Sequence, residues 1–143
     1  MNRATPKMRE FAERLIAYDA KGQKPSNPNG AVGFHVCEKL RPHFSTVMGN
    51  AGFRALLVRA LALATSEVPW LSAIEVKTNG ALEGLDQLQA QLAPEEIHEG
   101  RVVLLAQLLG LLVTFIGESL TMRLLREVWP QLPPFDSESA QRR

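Results

Sequence analysis

From Val102 to Gly117 the chain reads VVLLAQLLGLLVTFIG, sixteen residues without a charge. A helix of this composition crosses a bilayer, fills the centre of a soluble bundle, or waits for a partner. Spanning hydrocarbon takes about 20 apolar residues. This run is shorter, Gln107 interrupts it, and Glu118 and Arg123 follow directly. Its small and polar residues are also ordered. Gln107, Gly110, Thr114, Gly117, Glu118 and Thr121 fall at helical steps and form one narrow stripe, with Leu, Val, Ile and Phe around the rest. That pattern predicts the core helix of a soluble bundle and no membrane span.

The same helix has a length problem. Pro94, Glu95 and Glu96 make a good start, because proline suits the first helical position and carboxylates suit the positive end of the helix dipole. Pro130 ends the pattern. Unbroken to Trp129, the helix spans about 54 Å at 1.5 Å per residue. A compact domain of this size has a radius of gyration of only about 14–15 Å. The expectation is a break at Gly100, or a dimer built along the excess length.

Upstream, Thr5 and Pro6 open a helix whose apolar stripe is Met8, Phe11, Ala12, Leu15 and Ile16, with a stop at Lys21-Gly22. GQKPSNPNG (22–30) reads as a mobile loop. Residues 31–40 read as a short helix that Pro42 breaks or restarts, and Gly49 ends the turn that follows. Residues 50–67 form a clear amphipathic helix with Phe53, Leu56, Leu57, Ala60, Leu61 and Ala64 on one side. After Pro69 the period changes to alternation, and Asn79-Gly80 predicts a small hairpin. A lone hairpin is marginal, so it must pack on helices. Residues 85–92 suggest one more short helix. The chain has 143 residues, 45% hydrophobic and 22% charged, which suits one domain of ordinary globular composition. The prediction is a single-domain, all-α bundle of four to six helices over residues 1–130, with a flexible polar tail at 131–143.

Chemistry is not visible in this pattern. His35, Cys37 and His43 are close in sequence, but helical spacing puts His35 and Cys37 on nearly opposite faces and no fourth zinc ligand is apparent. No nucleophile elbow or glycine-rich phosphate loop is present. The reading is therefore no catalytic, metal or cofactor site, with a small enzyme using the Gln107–Thr121 stripe kept as the alternative. The balance of 16 basic and 15 acidic residues and a pI near 8.0 give no footprint for nucleic acid. Arg54 and Arg59 read as solvated helix arginines. One cysteine, Cys37, excludes an internal disulfide, reads as a buried core residue, and fits a reducing, cytoplasmic compartment. The N-terminus has no secretory pattern.

What remains is surface. Residues 1–24 carry six basic and three acidic side chains, whereas 74–100 carry six acidic and one basic. Trp70 and Trp129 each adjoin a proline at an element end and serve as core-edge plugs or as partner anchors. Gly110 and Gly117, with threonines between and beyond, allow close backbone approach, either by a neighbouring helix or across a symmetric seam that includes Glu118 and Thr121. The expected function is a non-enzymatic helical interaction or regulatory module, with a protein partner or a second copy as its target. Peripheral membrane attachment is the other alternative.

Overall fold

The computed structural model describes residues 6–21, 35–77, 82–84 and 91–130. Four helices hold most of them: α1 (Pro6–Lys21), α2 (His35–Glu67), α3 (Pro94–Ile116) and α4 (Glu118–Val128). A 3-10 turn, Pro69–Ala73, and an antiparallel ribbon of β1 (Glu75–Val76) and β2 (Leu82–Glu83) stand between α2 and α3 in sequence. The architecture is an all-α bundle with one small two-stranded sheet. The proposed loop 22–30, the Asn79-Gly80 turn, most of the suggested 85–92 helix and the 131–143 tail lie outside the described residues.

α3 is the centre. Every residue from Val102 to Leu109 is buried, which an apolar helix achieves only when neighbours cover it on all sides. α2 supplies one cover with Phe53, Leu57, Ala60 and Ala64, and α1 supplies another with Phe11, Ala12, Leu15 and Ile16. α4 packs back on both α3 and α2. The start of α3 follows the expected chemistry: Pro94 is the first helical residue, and the Glu96 carboxylate accepts the Ala93 N–H at 2.9 Å.

Two expectations about breaks need correction. α2 runs through Pro42 without ending, although proline removes one backbone donor. Leu40 and Phe44 are fully buried on either side of it, and that burial outweighs one lost hydrogen bond. Gly100 does not break the last helix either. It is buried inside α3, and a Cβ there would lie 2.3 Å from Trp70 Cζ2. Gly100 is glycine because an indole occupies the space of its side chain.

The breaks fall at Gly49 in α2 (φ 83, ψ 157) and at Gly117 between α3 and α4 (φ 93, ψ 155). The two geometries are nearly the same, in a region that L-residues with a Cβ rarely enter. Gly117→Ala is expected to lose roughly 1–2 kcal/mol of stability from backbone strain alone, since no atom lies within 4 Å of the added Cβ. Thermal unfolding measures it; an unchanged midpoint would mean that the α3–α4 corner tolerates another backbone conformation.

The ribbon pairs Glu75 with Glu83 and Val76 with Leu82. Two like charges face each other in the first pair, and Lys77 Nζ lies 4.0 Å from Glu75 and 3.6 Å from Glu83, relieving the repulsion. Arg54 fixes the ribbon to α2, donating from Nε to the Lys77 carbonyl at 3.0 Å and from Nη2 to the Val76 carbonyl at 3.3 Å. The reading of Arg54 as a solvated arginine is thus wrong. A marginal ribbon needs an anchor, and this side chain is one.

Candidate interaction surface

The stripe of small and polar residues on the last helix divides in the structure. Gln107 is buried, and its Nε2 donates to Glu67 Oε2 on α2 at 3.1 Å. Thr121 is fully buried, and its hydroxyl donates to the Gly117 carbonyl at 2.7 Å, a local bond within the first turn of α4. Thr114 is exposed and donates in the same way to the Gly110 carbonyl at 2.9 Å. Glu118 is exposed. No atom lies within 4 Å of where a Cβ would stand at Gly110 or Gly117. Among the described residues, no neighbouring helix therefore makes a close backbone approach at either glycine.

The tryptophans also separate. Trp129 is buried at the end of α4, with Lys39 Nζ 5.8 Å from its ring centroid. Trp70 is half-buried in the 3-10 turn, its six-membered ring wedged against Gly100.

The outer surface of α2 is the feature that sequence reading did not single out. The inner positions Phe53, Leu57, Ala60 and Ala64 leave Ala51, Ala55, Val58 and Ala62 pointing away from the core. Between Thr46 and Ser66 the exposed residues are Thr46, Val47, Gly49, Asn50, Ala51, Ala55, Val58, Arg59, Ala62 and Ser66. Arg59 is the single charge among them. A solvated helix face ordinarily carries charged residues, so this one is unusually bare. A second bare region closes α3. There Thr114 and Phe115 are exposed, Phe115 at 65%, beside half-buried Leu111 and Ile116. The uncharged run from Val102 to Gly117 is enclosed as far as Leu109; beyond it Leu112 is buried and Thr114 and Phe115 are exposed.

Among the described residues no three of His, Cys, Asp and Glu stand together to hold a metal ion. Cys37 is buried on the inner side of α2 with Val36 and Leu40. Glu118 lines a hollow open to solvent with Ser119, Met122, Arg123 and Arg126, where no histidine or cysteine meets it. A second hollow lies between α2 and α4, lined by Pro42, His43, Thr46, Val47, Leu120, Arg123, Leu124 and Glu127. Neither joins a nucleophile to a base held by a third group, the arrangement that covalent catalysis needs.

Two helical stretches, Lys39–Glu67 and Pro94–Ile116, are long and apolar enough to cross a membrane by length and composition. The apolar window of the second is 56% buried within the chain, that of the first only 22%. Comparison with known protein families, curated proteins and solved structures finds no match.

Proposed function

We propose that this chain is a non-enzymatic helical interaction module that pairs with a second copy of itself through the outer face of α2. The observation that carries the reading is the bareness of that face, with Arg59 as its one exposed charge from Thr46 to Ser66. Small side chains favour a closely packed helix over lipid, because alanine offers little apolar area to hydrocarbon but lets two backbones approach. The spacing of Ala51, Ala55, Val58 and Ala62 favours an identical partner. Its steps of four, three and four read the same in either direction. An antiparallel copy then sets Ala51 against Ala62 and Ala55 against Val58, which is how a two-fold contact works.

A stable interface of ordinary size buries roughly 1,600 Å² in total. Light scattering at micromolar concentration tests for it. The expected mass is twice 15.8 kDa, falling toward 15.8 kDa on dilution. Val58→Glu is expected to give the monomer mass at every concentration. It should leave helicity intact, since Val58 is 40% exposed in the single chain. A wild-type mass of 15.8 kDa that does not change with concentration defeats the reading.

Peripheral membrane attachment is the second reading, favoured by the low burial of the apolar α2 stretch. It predicts sedimentation with liposomes, weakened by Val58→Glu and Phe115→Ser. A protein that stays in the supernatant with anionic and neutral vesicles alike removes it.

A further inference from the structure

α1 is bound to the bundle on one side. It packs mainly on α3 and touches α2 little, while α2, α3 and α4 pack on one another without it. Its inner residues are Phe11, Ala12, Leu15 and Ile16, and Glu10, Glu13 and Ala17 face outward. Arg9 makes an inward polar contact. The Arg9 Nη2 donates to Glu99 Oε2 at 3.0 Å, and Nη1 donates to Glu67 Oε1 at 3.5 Å. The Glu67 side chain is only 11% exposed, yet it also accepts from Gln107 Nε2. When Arg9 leaves, the carboxylate keeps the Gln107 donor and gains water on the vacated side. It is therefore not stranded as an unsatisfied charge.

We propose that α1 is a strap that undocks as a unit while α2, α3 and α4 stay packed, with Arg9 as its electrostatic latch. A helix docked mainly on one neighbour opens before helices that pack on several. Undocking opens part of α3, and from Val102 to Leu109 that helix is Val, Leu or Ala apart from Gln107. Undocking thus turns a closed core helix into an open apolar groove beside Glu67.

Native-state hydrogen exchange read by mass spectrometry tests the strap. The amides of α1 are expected to exchange as a block, faster than those of α3 from Val102 to Leu112. Raising sodium chloride from about 0.05 M to about 0.5 M is expected to speed the α1 block and leave α3 unchanged, because screening weakens an exposed ion pair. Arg9→Ala is expected to speed α1 about 5- to 30-fold, the factor that one to two kcal/mol sets in an equilibrium. Glu99→Gln removes only the outer pair and should have a smaller effect of the same kind. Should Arg9→Ala fail to fold, the salt series and Glu99→Gln read the same latch. An α1 that exchanges at the rate of α3, or a salt or variant effect spread equally over all helices, overturns the proposal.

Discussion

Phe53→Ala is expected to lower the free energy of unfolding by about 3–5 kcal/mol. Phe53 is 1% exposed on the inner side of α2, and its ring centroid lies 6.4 Å from that of Phe44, which is also fully buried. Gly49 stands between them and turns the helix. The two rings therefore join the two halves of α2 across its break, as well as filling the core against α3. Truncation removes the transfer free energy of the ring, leaves a cavity beside Leu57, and deletes an aromatic contact worth about 0.5–1.5 kcal/mol. A domain of this kind has only about 5–15 kcal/mol to lose. Val58→Ala, on the outer side of the same helix, should change stability by less than about 0.5 kcal/mol in the monomer. Urea unfolding followed by circular dichroism compares the two at equal slope. A loss at Phe53 below about 1 kcal/mol would mean that the halves of α2 are held by other contacts.

The bundle was legible in the sequence because its signals are long and redundant. Val102–Leu109 is an uncharged run that the bundle buries on every side, and Phe53, Leu57, Ala60 and Ala64 repeat the helical period often enough to fix their inner face. The ribbon was visible as alternation at Ile74–Lys77. Pro6, Pro94, Gly49 and Pro130 marked boundaries because each acts on the backbone locally.

The misreadings all needed a partner that sequence does not name. Arg54 looks like any solvated arginine until β1 brings two carbonyls within its reach. Pro42 looks like a terminator until Leu40 and Phe44 are seen to be buried around it. The stripe at Gln107–Thr121 divides in the fold: Gln107 bonds to Glu67 and Thr121 to its own helix, while Thr114 and Glu118 between them are exposed. The face that is left bare, Ala51 to Ala62, was passed over because alanine fits a helix anywhere and carries no signal by itself. Its significance comes from which way it points, and that is a property of the fold.

Gly100→Ala separates the two meanings of a glycine inside a helix, and its expected result has the opposite sign to helix propensity. Propensity alone favours alanine by about 1 kcal/mol. Against this, the new Cβ would stand 2.3 Å from Trp70 Cζ2 and 2.8 Å from Cη2, inside any real contact distance. An indole is rigid, so it must tilt or leave as a whole, and overpacking of this kind costs about 1–3 kcal/mol. Because the ring is half-buried it has a way out, and its loss of cover then becomes the penalty. The net expectation is destabilisation by about 1–3 kcal/mol for alanine, and by the upper end of that range or more for Gly100→Leu. A double-mutant cycle identifies the cause. In a Trp70→Ala background the clash is gone, and Gly100→Ala should become neutral or stabilising by up to about 1 kcal/mol. A coupling of about 2 kcal/mol or more between the two positions would locate the penalty in the ring. A coupling under about 0.5 kcal/mol would show that Gly100 answers to something other than Trp70, and that the 3-10 turn is not seated on α3 as described.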